Sequence, residues 1–326
     1  LATYYPLIPR DAPRRLSLVL PIYNEVEVLP LVFERLKLLL PTFSSETEVI
    51  FVNDGSSDRS LDLLIAQANS DPRFKVVALA RNFGHQIAAT AGLDCAIGDA
   101  VVLMDADLQD PPELVSQMIE KYCEGYDIVY ARRTKREGES LFKRISAWAF
   151  YRLMRLLVDR DLPVDVGDYR LMSQASLSAL RGMGERHRFL RGMASWIGFA
   201  TAYVEFVRPP RAAGETKYPF RRMFSLAWDA AVSFSPFPLR LAFLLGGLFT
   251  ALGLLYGAYA VFRVMNGLYV VPGWTSGVVL ICLTSGTTMA CLGVFGEYLA
   301  RLYDEAKARP LYTVYRTINF LPPKDL

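Results

Sequence analysis

The sequence predicts an α/β domain built on a mostly parallel sheet, followed by an anchor of two transmembrane helices. Three observations carry this reading. Short β-rich runs alternate with amphipathic helical patterns as far as Ala131. Polar clusters recur where those runs end. Two long uncharged apolar stretches follow, in a 326-residue chain that is 52% hydrophobic, more than a soluble domain usually carries.

The elements follow in order. Leu16 to Leu20 reads as a buried strand, with a helix near Val26 to Leu40. Glu48 to Val52 is a second strand, with a helix near Asp58 to Asn69. Phe74 to Ala80 and a helix near His85 to Ala96 come next. Ala100 to Met104, a helix near Pro112 to Glu124, and a fifth strand from Tyr126 to Ala131 complete the series. Strict alternation of this kind implies parallel strands covered on both faces. Ligands of such sheets bind beyond the carboxyl ends of the strands. Tyr23-Asn24-Glu25, Asn53-Asp54-Gly55 and Asp105-Ala106-Asp107 fall there, after the first, second and fourth strands.

Over 139–158 the apolar residues Leu141, Phe142, Ile145, Trp148 and Leu153 recur at helical spacing, interleaved with Lys143, Arg144, Arg152 and Arg155. Such a helix suits a membrane interface; the alternative is a helix packed on the domain. A second basic amphipathic segment covers 218–233, through Arg221, Arg222 and Trp228. The spans themselves are expected near 240–262 and 275–299, since about 20 apolar residues cross the hydrocarbon core. Their outer flanks hold Arg221, Arg222, Arg240, Arg301, Lys307 and Arg309, and the connection between them holds only Arg263 at its edge. The positive-inside rule then puts both termini in the cytoplasm. The expected organisation is a cytoplasmic catalytic domain over 1–235, a membrane anchor over 236–300, and a cytoplasmic tail over 301–326. Gly246, Gly247, Gly253 and Gly257 suit close helix packing and a homo-oligomer, or are glycines of the kind any membrane helix carries.

Bulk properties narrow the class. A formal charge of +3 gives no reason to expect nucleic acid as a partner. Cys95, Cys123, Cys282 and Cys291 have neither metal nor redox spacing, so a disulfide framework is not expected. Leu1 to Arg15 lacks the apolar core of a signal peptide, which agrees with a cytoplasmic first half. His85 and His187 stand apart from other ligand candidates and read as structural or surface residues.

Three clusters carry chemistry. Two carboxylates one residue apart at a strand end, Asp105 and Asp107, can hold Mg²⁺ or Mn²⁺, which in turn binds phosphate oxygens. Pro111 and Pro112 suit the first turn of the helix that follows. Gly55 permits a sharp turn, and Asp58 can cap the next helix. Asp54 needs neither role and can accept hydrogen bonds from a base or ribose. Pro21 and Tyr23 offer flat surfaces to a base, and Glu25 an acceptor. Each cluster alone is a common polar loop. In order, Pro-x-Tyr-Asn-Glu, Asn-Asp-Gly-Ser-x-Asp and Asp-Ala-Asp-Leu-Gln-Asp-Pro-Pro-Glu together resemble glycosyltransferases of the family-2 type, with the GT-A nucleotide-diphospho-sugar fold. Downstream, 132–140, Gly167-Asp168-Tyr169-Arg170-Leu171, 208–218 and 233–240 resemble the polyprenyl-phosphate branch. That branch includes dolichyl-phosphate mannosyltransferases and bacterial bactoprenol-phosphate glucosyltransferases; the two-span layout is closer to the latter.

The resemblance implies roles. Pro21, Tyr23, Glu25, Val52 and Asp54 would contact the nucleoside. Asp105, Ala106, Asp107 and Gln109 would sit on the diphosphate, with Asp107 and Gln109 nearest the divalent metal and Asp105 beside it. Arg133, Arg136 and Arg144 would face the acceptor phosphate, and Arg211 and Lys217 would clamp phosphate. Asp168 stands where relatives place a catalytic base; orienting the acceptor and pairing with Arg170 are its other two readings. Asn53 replaces the aspartate that many relatives have there. The implied reaction is inverting transfer of a sugar from a nucleotide-sugar, UDP-glucose by this likeness, onto a polyisoprenyl phosphate at the bacterial plasma membrane. GDP-mannose and UDP-pentoses stay open as donors. A processive synthase of the same fold is the rival enzyme, but the segment Arg191 to Trp196 lacks the Gln-x-x-Arg-Trp pattern. A non-catalytic nucleotide-sugar sensor is the rival outside enzymology.

Overall fold

Strand β1, Arg15–Ile22, is apolar on both faces and buried almost throughout, as a central strand must be. In this computed structural model, in which residues 6–43, 46–133, 166–207, 237–266 and 274–320 are described, it lies at the middle of an eight-stranded sheet. Its parallel neighbours are β2, Glu46–Asn53, and β4, Ala100–Leu103. Strand β3, Phe74–Leu79, extends the parallel part beyond β2. Helices α1, Leu29–Phe43, α2, Ser60–Ser70, α3, His85–Cys95, and α4, Leu114–Cys123, connect these strands. Two apolar clusters form, one on each face: Leu18, Phe51 and Phe74 with α1, and Val19, Val52 and Val77 with α3. The result is an α/β, GT-A-like fold with a mostly parallel sheet.

Two departures from simple alternation matter for the site. Strand β5, Ile128–Arg133, does not pair with β4. Strand β6, Val166–Ser173, enters between them and runs antiparallel to both. Beyond β5 lies β7, Thr201–Phe206, parallel to it. Helices α5, Gln174–Arg181, and α6, Leu190–Trp196, link β6 to β7.

The second departure is at the opposite edge. The C-terminal segment read as a tail supplies strand β8, Val314–Ile318, which pairs antiparallel with β3. Ala80 N donates to Thr313 O at 2.9 Å, and Tyr312 Oη to Asp94 Oδ2 at 3.0 Å. Asn319, at φ 61°, donates its side-chain amide to Ala68 O at 2.6 Å and Phe74 O at 2.8 Å. Asn319→Ala leaves both carbonyls without that donor. A loss of about 1–2 kcal/mol is expected, measured as a lowered midpoint in thermal unfolding.

The chain divides into two compact units: Leu1–Tyr151, Asp161–Lys217 and Pro310–Leu326 hold the sheet, and Arg152–Arg160 with Tyr218–Arg309 form the other. The described part of the second unit is two long helices, α7, Phe237–Met265, and α8, Trp274–Ala306. They pack on each other, with Cys291 Sγ 3.5 Å from Ala242 O. Among the described residues, one window is long and apolar enough to cross a membrane: Ala242–Tyr259 in α7, mean hydropathy 1.6, with none of it buried inside the protein. The second expected span lies within a helix, α8. Thr284, Thr287 and Thr288 turn their hydroxyls back to the carbonyls of Leu280, Leu283 and Thr284 at 2.8–2.9 Å. The expected helices over 139–158 and 218–233 lie outside the described residues.

Candidate active site

The ends of β1, β2 and β4 place the three sequence clusters along one edge of the sheet, as the parallel registers require. The first two interlock. Asn24, at φ 56°, accepts at Oδ1 from Ser57 N at 2.8 Å and Ser57 Oγ at 3.3 Å. Asn24 N donates to Ser56 Oγ, and Glu25 N to Ser60 Oγ at 2.9 Å. Asp58 accepts from Ser60 N at the start of α2, and also from Val26 N. Gly55 has φ +63°, and a Cβ there would stand 2.5 Å from the backbone of Arg81 and Asn82, so only glycine fits.

Asp54 is 2% exposed, and both its oxygens are engaged: Oδ1 accepts from Phe83 N at 2.7 Å, Oδ2 from Gly84 N at 2.9 Å. Burial raises its pKa, against these two hydrogen bonds. Each oxygen keeps a second lone pair for a ligand. Tyr23 is exposed and Glu25 half-buried. Pro21, Val52 and Ala106 differ from the expectation. Pro21 is buried in β1, while Val52 and Ala106 pack into the two apolar clusters. Side chains sealed in this way leave only backbone atoms to meet a nucleotide.

Asp168 reaches the Asp-x-Asp loop by register. Strands β4 and β6 pair Ala100 with Ser173 and Leu103 with Arg170. Past the end of that ladder the two carboxylates stay together: His85 Nε2 lies 3.5 Å from both Asp105 Oδ1 and Asp168 Oδ2. Tyr169 Oη donates to Pro111 O at 2.8 Å, tying β6 to the same loop. Around Asp168, Oδ1 faces Arg170 Nη2 at 3.0 Å and Arg191 Nη2 at 3.7 Å. Oδ2 faces Gln86 Nε2 at 2.9 Å and His85 Nε2 at 3.5 Å. Burial opposes its charge, but the His85 hydrogen bond and the two guanidinium charges hold the carboxyl well below its usual range. The pairing with Arg170 is thus present, as one part of a larger network.

His85 is not isolated. Its Nε2 lies 3.5 Å from Asp105 Oδ1 as well as from Asp168. Burial disfavours its charge; Asp168 and Asp105 outweigh that and push its pKa up to about 9. His85, Gln86 and the two N–H groups on Asp54 all follow β3. The strand-end rule applied to β3, as to its neighbours, points to them; Arg191 and Arg170 had no such local signal.

The Asp-x-Asp loop is a tight turn. Asp107 Oδ1 accepts from Gln109 N at 3.0 Å, and Leu108 between them has φ 58°. Asp105 N donates to Asp110 Oδ2 at 3.4 Å. Asp110 is 1% exposed, and its Oδ1 has no hydrogen-bond partner, with Arg133 Nη2 at 3.8 Å. Burial, then the Asp105 charge, push Asp110 up to about 7. Burial also raises Asp105, and Asp168 and Asp107 add to the rise. Crowded, under-neutralised carboxylates suit a hard divalent cation. No group of three carboxylate, His or Cys side chains gathers at metal-binding distance among the described residues. Mg²⁺ commonly takes one or two carboxylates and completes its shell with water and substrate phosphates, so Asp105, Asp107 and Gln109 fit that arrangement.

Arg133 ends β5 and points its guanidinium toward the same loop, close against Gly167. Arg136, Arg144, Arg211 and Lys217 lie outside the described residues.

The strand ends of this GT-A-like sheet gather carboxylates and cations, and the family model shows that the chain is a glycosyltransferase. The model of glycosyl transferase family 2 matches residues 17–181, and the chain belongs to that family. It is 47% identical to the glycosyltransferase YkcC of Bacillus subtilis, over 92% of this chain and 93% of the relative. It is 38% identical to the prophage bactoprenol glucosyl transferase homolog of Escherichia coli, over 93% of this chain and 99% of that one. It is 37% identical to the bactoprenol glucosyl transferase of Shigella phage SfV, over 92% and 98%.

Proposed function

We propose that this enzyme transfers glucose from UDP-glucose to a polyisoprenyl phosphate at the cytoplasmic face of the bacterial plasma membrane, with inversion at the anomeric carbon. The observation that carries the reading is the meeting of Asp105 and Asp168 at His85, in a chain similar over nearly its full length to bactoprenol glucosyl transferases. A nucleotide-sugar would lie along the strand ends, its base near Tyr23, Glu25 and Asp54, its diphosphate on the Asp-x-Asp loop. Mg²⁺ or Mn²⁺ held by Asp105, Asp107 and Gln109 would neutralise charge on the departing diphosphate. Arg133, with Arg136 and Arg144, would face the acceptor phosphate, and Arg211 and Lys217 would clamp phosphate. The acceptor is already an anion, so it attacks without surrendering a proton. Asp168, held ionised, then serves to place the acceptor and balance the surrounding cations.

Embedding in lipid is supported by α7. Phe243 is 81% and Leu254 71% exposed in a helix that carries no acidic residue, and bilayer would cover that surface.

Membranes containing the enzyme, given labelled UDP-glucose and undecaprenyl phosphate, are expected to yield an organic-extractable product with the mass of a glucosyl phospholipid. Excess EDTA should abolish it and Mg²⁺ or Mn²⁺ restore it. GDP-mannose and UDP-pentoses run in parallel decide the donor. No lipid product from any of them would overturn the proposal.

A further inference from the structure

Two arginines face Asp168, and their donors are spent differently. Arg170 is 1% exposed, with each guanidinium nitrogen bonded. Nε donates to the Asp168 main-chain oxygen at 3.1 Å, Nη1 to Leu190 O at 2.9 Å, and Nη2 to Asp168 Oδ1 at 3.0 Å. Each of these three bonds goes to an oxygen of the protein itself. Arg191 approaches the same carboxylate oxygen only to 3.7 Å, too far for a hydrogen bond. Its Nε is buried with no hydrogen-bond partner, yet its side chain keeps 24% exposure. A guanidinium carries five N–H donors and never loses its charge near neutrality. A buried unsatisfied donor on such a group is costly unless a ligand meets it.

The position of Arg191 is fixed from both sides. Leu190, the residue before it, donates its N–H to Gln86 Oε1 at 2.9 Å and accepts from Arg170 at its carbonyl. Gln86 also donates Nε2 to Asp168 Oδ2. The residues that orient Asp168 therefore orient the start of α6 as well. Arg191 is aimed and not merely tethered.

We propose that Arg191 binds a substrate phosphate oxygen beside Asp168, with Gln86 and Arg170 as the residues that position it. The proposal rests on the reaction above and deepens it. The shared chemistry is a phosphate oxygen, from the nucleotide diphosphate or from the lipid phosphate, and a planar fork suits either.

The test uses the full chain with Arg191→Gln and Arg191→Lys, varying donor and acceptor independently, alongside thermal unfolding and UDP binding by calorimetry. Arg191→Gln is expected to raise KM for one phosphate substrate about tenfold or more. Arg191→Lys should recover part of that, because it keeps the charge and loses the fork. A raised acceptor KM with unchanged UDP affinity assigns the lipid phosphate. A raised donor KM with weakened UDP binding assigns the diphosphate. Both KM values unchanged in a folded variant would overturn the proposal, whatever happens to kcat, since Arg191 would then only balance Asp168. If Arg191→Gln does not fold, Arg191→Lys decides by the same criterion. A wild-type enzyme that makes no lipid product overturns the reaction, and this inference with it. That result is distinct from a working enzyme indifferent to Arg191.

Discussion

Asparagine in place of Asp168 is expected to lower kcat by about 10²–10⁴-fold while the protein stays folded. The side chain keeps its shape and an oxygen that can accept from Arg170 Nη2. What it loses is the negative charge among His85, Arg170 and Arg191. Asp168→Ala would go further. Arg170 is fully buried, and removing its partner leaves a charge uncompensated, at a cost of about 3–5 kcal/mol. Thermal unfolding separates the two effects. An Asp168→Asn variant that melts like wild type and turns over like wild type would remove Asp168 from the chemistry.

The pH dependence distinguishes a base from a charge. Asp168 is held below its ordinary value of 3.8; burial works against this, and the His85 hydrogen bond with the Arg170 and Arg191 charges decides it. A depressed carboxylate contributes stability that is complete above the ordinary value and is lost as pH falls through the lower, folded one. From pH 5 to 9 the group is therefore ionised throughout, and it is a weak base. Asp168→Asn should scale the acidic side of the rate profile down without changing its form, while a basic limb set by His85 should move to lower pH, because Asp168 helps to hold that imidazole up at about 9. An acidic limb in the wild type that disappears in the variant would restore the base role and contradict the electrostatic one.

The parts of this site that could be read from sequence are those with local signals. Continuous apolar runs revealed β1 to β4, because strands buried on both faces need them. Polar residues directly after those runs marked Asn24, Asp54, Asp105 and Asp107. Asp168 was reached only through a motif, and its proximity to Asp105 was not legible. That proximity comes from an antiparallel pairing between segments more than 60 residues apart, which no local pattern announces. Val52 and Ala106 were assigned by resemblance; Val52 lies in β2, buried on both faces, and Ala106 packs into the core just past the end of β4. The strand Val314–Ile318 has β-forming residues, but most of its side chains are exposed, so it lacked the hydrophobic contrast that marks a buried strand.

Asp107→Asn is expected to lower kcat by about 10²–10³-fold and to raise the metal concentration for half-maximal activity about tenfold or more. Asparagine can still accept from Gln109 N at its side-chain oxygen, so the turn that holds Leu108 at φ 58° should persist. A left-handed leucine is unfavourable by about 1–2 kcal/mol, and strain kept in a loop of this kind is typical of sites that present ligands. Asp110 is the control. It is buried, accepts from Asp105 N at Oδ2, and has Oδ1 3.8 Å from Arg133 Nη2. Asp110→Asn removes a neighbouring charge but not a group facing the diphosphate, so its metal titration should shift less than that of Asp107→Asn. Titration of product formation with Mg²⁺ or Mn²⁺ compares them directly. Equal shifts would mean that the loop's total charge, and not direct ligation by Asp107, governs metal binding. An Asp107→Asn enzyme with unchanged metal dependence would move the cation away from this loop altogether.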